Sequence, residues 1–260
     1  MKLILLHPFL LLCLLSLTTC SEDGDFNVFS VQQDLELGRE TDQQIRSNPA
    51  EFPILDPADY PQAYLYLQNM VDDIVREGNV PYADVFPYQV TLIRSDQQNA
   101  FATPGGFIYV YTGLVDVLDS GDQLAGVLAH EIAHASQRHS TDQLTKQYGI
   151  STLISVVSGG DPGLLSQIGS QLLSLKFSRD DESEADARSV DFLCNTDYAS
   201  NGAAGFFEMI QGMGSPPAFL STHPNPGDRV ADINARAEDK NCDTDTSDID
   251  DFRDFQQRLP

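Results

Sequence analysis

Hydrophobic residues recur at two kinds of spacing along most of the chain. Apolar positions three and four residues apart predict helices, over residues 30–46, 58–77, 122–138, 140–158, 163–176, 179–194, 202–212 and 227–238. Short apolar runs predict strands, over residues 88–94, 99–103 and 107–111. Pro104-Gly105-Gly106 joins the last two strands and predicts a hairpin. This order indicates one α+β domain, mostly helical with a small sheet, and we place it at residues 30–237.

The first residues have the composition of an export signal. Met1-Lys2 precedes an apolar run that ends near Leu17 and is too short and too interrupted for a membrane span. The sequence Leu17-Thr18-Thr19-Cys20 resembles the lipobox of bacterial lipoproteins. The resemblance implies a signal peptide over residues 1–19 and a lipid on Cys20 that anchors the chain to the outer membrane, on the periplasmic side. An ordinary cleaved signal peptide is the alternative, and the polar residues 20–29 are predicted to be a tether.

Charge and cysteine content narrow the possible partners. Lys and Arg number 15 against 39 Asp and Glu, so the net charge is −24 and nucleic acid is excluded as a partner. Acidic residues dominate the tail over residues 238–260, and we expect its end to be disordered. In an exported chain Cys194 and Cys242 are a possible disulfide, with two free thiols as the alternative.

The helix predicted over residues 122–138 carries the pentapeptide His130-Glu131-Ile132-Ala133-His134. Residues four apart lie one turn apart on the same face of a helix, so both imidazoles can bind a single zinc ion. Glu131 is rotated aside, where it can act on a water beside the metal. Two surface histidines would give the same pattern, and a zinc site requires a third ligand. His139 is five residues past His134 and is expected to point elsewhere.

Carboxylates at the start of the helix predicted over residues 179–194 are candidates for that ligand. Glu182 and Asp186 are four residues apart and share a face. If Glu182 binds zinc, Asp186 can orient a ligand imidazole one turn further on. An acidic first turn favoured by the helix dipole is the alternative.

Several motifs together resemble one known family. HEIAH, the later FSRDDESEAD and STHPNPGDR, and the segment NAFATPGGFIYVYTGL are similar to the HtpX and CAAX prenyl protease family of zinc metallopeptidases, over about residues 30–237. The resemblance implies one Zn²⁺ bound by His130, His134 and Glu182, with Glu131 as the general base. Within this family the sequence looks most like the periplasmic, lipoprotein-type members. Relatives with tetratricopeptide repeats extend further, so we expect no repeat-dependent partners here.

His223-Pro224 and Arg229 match a late element of the same family. The resemblance implies that His223 lies near the metal, where it either stabilises the oxyanion or occupies the fourth zinc position. Arg229 could pair with Asp186. A packing histidine and a surface arginine in a proline-bounded loop is the alternative.

These features predict a zinc endopeptidase that hydrolyses proteins or peptides, and the resemblance implies misfolded envelope proteins as substrates. Asn99, Ala100, Phe101 and Ala102 are the candidate edge strand for substrate, because the small side chains of Ala100 and Ala102 would let another strand approach. Residues 144–176 are either a cover for the site or part of the core. The alternatives are a zinc-binding but catalytically silent envelope protein, which would not need Glu131, and a metal-free structural lipoprotein.

Overall fold

The computed structural model describes residues 27–150, 153, 162–212, 216–225, 227–245 and 249–260. The helices are α1 Val31–Arg46, α2 Pro61–Glu77, α3 Thr112–Val115, α4 Gly121–Ser136, α5 His139–Tyr148, α6 Pro162–Leu172, α7 Arg179–Leu193, α8 Gly202–Gln211, α9 Arg229–Asp239 and α10 Asp250–Gln256. The strands are β1 Gln89–Ile93, β2 Ala100–Thr103 and β3 Phe107–Tyr111, and a 3₁₀ turn spans Ala218–Ser221. The predicted α+β class, mostly helical with a small sheet, is confirmed.

The sheet has three strands in the order β1-β3-β2. β2 and β3 form the predicted hairpin, with Phe101 opposite Tyr109, while β1 lies parallel to β3. Strand β2 therefore lies at one edge of the sheet, and it also contacts α4. The sheet thus stands next to the helix that carries the pentapeptide.

Helix α4 is the centre of the fold. Ser120 caps its N-terminus by accepting a hydrogen bond from the amide of Gln123, and almost every residue of the helix is buried. It packs against β2 on one side and against α2, α7 and α8 on the others. Gly126 permits the contact with α8, because a side chain there would meet the backbone of Ala203.

The helix after α4 does not follow the predicted course. The prediction ended one helix at about residue 138 and placed a second over residues 140–158, without a change of direction between them. Arg138 instead adopts a left-handed conformation (φ 63°), which ends α4 and starts α5 in a new direction. Its guanidinium binds the buried carboxylate of Asp34 and the carbonyl of Phe29. Helix α5 ends at Tyr148, followed by Gly149 with φ 74°.

The C-terminal residues differ from the prediction of a disordered end. Residues 250–256 form α10, in which Phe252 and Phe255 are fully buried. Helix α10 packs against α2, where Phe255 stacks on Tyr66 at 4.6 Å between ring centroids. Two phenylalanines among acidic residues are enough to dock this short helix. Upstream of it, Cys194 and Cys242 are joined in a disulfide.

Two other predictions fall outside the described residues. The predicted signal peptide and Cys20 are among residues 1–26, and part of the segment 144–176 is among residues 151–161. Within the described ranges, every helix is too short or too polar to cross a membrane.

Candidate metal centre

His130 and His134 lie one turn apart on the buried face of α4. Their Nε2 atoms are 3.0 Å apart, and each side chain is about 1% exposed. Two ring nitrogens this close need a shared proton or a shared cation between them. The pairing follows directly from the four-residue spacing on a helix.

Helix α7 brings Glu182 to the same point. Ser178 caps this helix in a capping box with Asp181, which fixes where the first turn begins. Glu182 Oε1 lies 3.4 Å from His134 Nε2, and Oε2 lies 3.5 Å from His130 Nε2. One carboxylate oxygen therefore faces each imidazole, and the side chain is completely buried.

His223 enters from the loop after the 3₁₀ turn. Its Nδ1 is 3.0 Å from Glu182 Oε1 and 3.4 Å from His130 Nε2. The ring of Phe219 stacks on it at 4.1 Å with an angle of 6° between the planes, which holds the imidazole in place.

These four residues fit a metal ion. One ligand atom from each of His130, His134, Glu182 and His223 lies within 4.8 Å of the others, and all four side chains are buried. Glu182 Oε2 has no hydrogen-bond partner among the described residues, although Arg229 Nη1 lies 3.2 Å from it. Buried polar atoms without partners are costly, and a cation would satisfy them. Imidazole nitrogens and carboxylate oxygens are ligands that zinc binds in proteins.

Asp186 and Arg229 support His130, the first of the two histidines on α4. Asp186 Oδ1 lies 3.0 Å from His130 Nδ1, the ring nitrogen that faces away from the cluster. Arg229 donates two hydrogen bonds to Asp186, from Nε at 2.7 Å and from Nη2 at 2.5 Å. Arg229 Nη1 lies 3.2 Å from Glu182 Oε2, and its guanidinium stacks over the ring of Phe207. The arginine therefore links both carboxylates of α7.

Burial and close contacts shift the pKa values of His130, His134 and Glu182 in the metal-free site. Burial lowers the pKa of His130, but hydrogen bonds to Asp186 and Glu182 outweigh it and raise the pKa to about 9. Burial, reinforced by the nearby His130, holds the pKa of His134 well below its usual range. Burial alone would raise the pKa of Glu182, yet its hydrogen bonds with the three histidines lower it. Glu182 therefore stays ionised, and a cation next to it is favoured.

Glu131 is next to the cluster but not in it. Its Oε1 lies 3.5 Å from His223 Nε2, and neither carboxylate oxygen has a hydrogen-bond partner among the described residues. The side chain is fully buried. A carboxylate aimed into such a site is suited to take a proton from a water or a substrate group.

His139 is the residue that sequence analysis missed. We expected it to point away from the site, but the turn at Arg138 brings it back. His139 Nδ1 lies 2.8 Å from His134 Nδ1, and its Nε2 lies 3.5 Å from Glu184 Oε2. The contact depends on the left-handed conformation of Arg138 between the two helices. The sequence predicted that a helix ends there, but not the direction in which the next helix begins.

The strand that the sequence predicted to bind substrate, β2, lies at the edge of the sheet. Asn99 precedes β2, and its carbonyl accepts a hydrogen bond from the amide of Tyr111 in β3. Because hydrogen bonding alternates along an antiparallel pair, the backbone of Ala100 and Ala102 faces away from β3. Phe101 stacks on Tyr109 at 4.7 Å.

Comparison with known proteins identifies the family. The model of peptidase family M48 matches residues 61–237, more than half of the chain. The chain belongs to peptidase family M48. This confirms the resemblance found in the sequence. M48 peptidases are zinc-dependent, so the predicted enzyme class, a metalloendopeptidase, and the zinc cofactor are confirmed as well.

Three relatives illustrate the range of the similarity. The chain is 28% identical to a beta-barrel assembly-enhancing protease of Yersinia pestis over 225 residues, 80% of this chain and 44% of the relative. It is 31% identical to metalloprotease YcaL of Escherichia coli over 160 residues, 58% of this chain and 62% of the relative. It is 32% identical to mitochondrial metalloendopeptidase OMA1 of Schizosaccharomyces pombe over 154 residues, 56% of this chain and 45% of the relative. The chain thus spans less than two thirds of the length of each.

Proposed function

We propose that this M48 peptidase cleaves peptide bonds of misfolded or unassembled proteins in the bacterial envelope. In this proposal His130, His134 and Glu182 hold the zinc ion, and Glu131 is the general base. Zinc, when bound, supplies a Lewis acid that polarises the scissile carbonyl and lowers the pKa of a water. Glu131 accepts the proton of that water and later donates it to the leaving nitrogen.

His223 has two proposed roles. In the described conformation its Nδ1 lies among the zinc-binding atoms, which supports a place at the fourth zinc position that holds the enzyme idle. If the loop after the 3₁₀ turn moves, Nε2 could instead donate a hydrogen bond to the oxyanion of the substrate. Asp186 would fix the tautomer of His130 by accepting from its Nδ1–H, and Arg229 would hold Asp186 in place.

The observation that carries the proposal is the fully buried carboxylate of Glu131 beside the four-residue cluster, which accepts no hydrogen bond from the part of the chain that the structure describes. A structural zinc site has no use for it. We expect Glu131→Gln to reduce cleavage of unfolded casein by at least about a thousandfold, since removal of a principal catalytic group costs this much. Zinc content and thermal unfolding should match the wild type.

Equal cleavage by wild type and Glu131→Gln would instead favour the silent zinc-binding protein. Chelator-treated wild type is the control for contaminating proteases. A purified wild type that takes up no zinc would refute the proposed site altogether.

We propose further that substrate pairs with the free edge of β2. The outward backbone groups of Ala102 support this, and so does the buried Oδ1 of Asn99, which has no hydrogen-bond partner among the described residues. Ala102→Pro removes the outward amide without breaking the ladder to β3, so KM should rise or cleavage should cease. Ala102→Ser keeps the amide and should behave as wild type. Unchanged kinetics in the proline variant would refute this role.

The location is also a proposal. A lipid on Cys20 would hold the enzyme at the outer membrane, facing the periplasm, and the naming of one relative for beta-barrel assembly fits substrates there. Mass spectrometry of the mature N-terminus tests it, because an acylated Cys20 and a plain cleaved end differ by the mass of the lipid.

A further inference from the structure

We propose that His139 is a positioning residue that fixes the ring of His134 from behind. The inference rests on the proposed function, in which His134 is a zinc ligand. It concerns how that ligand is oriented, and it gives a role to the buried histidine that the proposed mechanism does not use.

The two ring nitrogens of His134 face different partners. Its Nε2 faces the cluster, 3.4 Å from Glu182 Oε1, while its Nδ1 lies 2.8 Å from His139 Nδ1. At that distance one Nδ1 must carry the proton and the other must accept it. Because Nε2 of His134 must be free of a proton to bind a cation, the proton lies on Nδ1 and is donated to His139.

This arrangement fixes the tautomer of His139 as well. With Nδ1 as the acceptor, the proton of neutral His139 lies on Nε2, which faces Glu184 Oε2 at 3.5 Å. His134 is thus backed by an imidazole, with a carboxylate one step further out. His130, by contrast, is backed directly by Asp186. Partners of this kind orient the ring and raise its basicity as a ligand.

The surrounding fold holds the pair rigidly. The ring of Phe177 stacks on His134 at 3.9 Å and meets His139 edge-on at 6.3 Å. Arg138, held by buried Asp34, places His139 at the first position of α5. His139 is 4% exposed, so water does not compete well for its Nδ1.

The test compares zinc affinity, measured by competition with a chelator, in three variants. His139→Leu fills the space but removes the acceptor, and we expect a 10- to 100-fold loss, roughly the effect of removing such a partner. His139→Asn offers an amide oxygen near the position of Nδ1 and should stay within a few-fold of wild type. Thr145→Val, a buried change on the same helix α5, should leave affinity unchanged.

A spectroscopic measurement separates positioning from general packing. In the zinc-loaded wild type and in His139→Asn, the Nδ1–H proton of His134 should give a downfield, slowly exchanging signal in ¹H–¹⁵N spectra of the histidine rings. In His139→Leu this signal should move upfield or broaden. Wild-type affinity and an unchanged signal in folded His139→Leu would overturn the inference, and so would an equal loss in Thr145→Val.

Two further variants make the outcome decisive. If His139→Leu does not fold, Glu184→Gln replaces it, because Glu184 is partly exposed and its substitution should be tolerated. We expect its zinc affinity to fall by roughly three- to tenfold. An unchanged zinc affinity in Glu184→Gln would overturn the inference. His134→Ala tests the proposed function separately. If it binds zinc as wild type does, the ligand assignment fails; if it loses zinc while the His139 variants do not, only this inference fails.

Discussion

Two arginines of α9 each bind an aspartate of α7, but in different surroundings. Arg229 and Asp186 are both nearly fully buried beside the candidate metal centre. Arg236 binds Asp191 in the same two-hydrogen-bond manner, yet its side chain is 36% exposed and Lys240 also contacts that aspartate. Exposure weakens an ion pair because water screens it and can replace either partner. The same residue types should therefore contribute very differently to stability.

We expect Arg229→Ala to lower the free energy of unfolding of the metal-free protein by about 3–5 kcal/mol, since it removes the arginine that contacts the buried carboxylates of Asp186 and Glu182. Arg236→Ala should cost about 1 kcal/mol or less. Urea unfolding at neutral pH in the presence of a chelator measures both. Equal costs in the two variants would show that burial does not govern the contribution of the Arg229 pair.

The residue scale also shows how far the sequence could define the site. His130 and His134 are paired by helical geometry alone, so their contact could be predicted. Glu182 and His223 are distant from this pair in sequence. The acidic start of its helix made Glu182 a candidate, whereas only the resemblance to a known family indicated His223. His139 could not be placed, because its position depends on the left-handed conformation of Arg138, which in turn is held by Asp34 on α1.

At the scale of elements, local periodicity predicted most helices and strands but not their packing. The short apolar run 88–94 predicted β1, yet nothing in it indicated a parallel pairing with β3. The tail was misjudged because its charge suggested disorder, whereas Phe252 and Phe255 bury enough apolar surface to dock α10 on α2. Long-range contacts of this kind leave little trace in a local pattern.

The crossing of α4 and α8 depends on glycine. A Cβ atom at Gly126 would lie 2.1 Å from the amide nitrogen of Ala203, so the two backbones could not keep their distance. Gly205 on α8 also faces α4, but a Cβ there would meet only the side chain of Gln123 at 3.3 Å. The first contact is with backbone and cannot give way, while the second is with a flexible side chain.

We therefore expect Gly126→Ala to destabilise the protein by about 3 kcal/mol or more, at the upper end of overpacking costs. Gly205→Ala should change stability by less than about 1 kcal/mol, because gained helix propensity offsets the tighter contact. Because Gly126 lies one turn before His130, zinc affinity should also fall in the first variant. Thermal unfolding and chelator competition measure the two effects; a stable Gly126→Ala with wild-type zinc affinity would contradict this account.

At the scale of the whole molecule, the disulfide joins the two helices that carry the outer support of the metal centre. Cys194 follows α7, which bears Glu182 and Asp186, and Cys242 follows α9, which begins with Arg229. The bond closes a loop with a sequence separation of 48 residues. It thereby restricts the unfolded chain and keeps the far ends of both helices together.

Replacing both cysteines by serine should lower the free energy of unfolding by about 4 kcal/mol, the value expected for closing a loop of this length. Zinc affinity should change much less, because the hydrogen bonds between Arg229 and Asp186 hold the near ends of α7 and α9 without the disulfide. Denaturant unfolding and chelator competition separate the two effects, and reduced wild type is the control. A zinc affinity that falls in proportion to stability would mean that the disulfide, rather than the buried ion pair, keeps the metal centre in register.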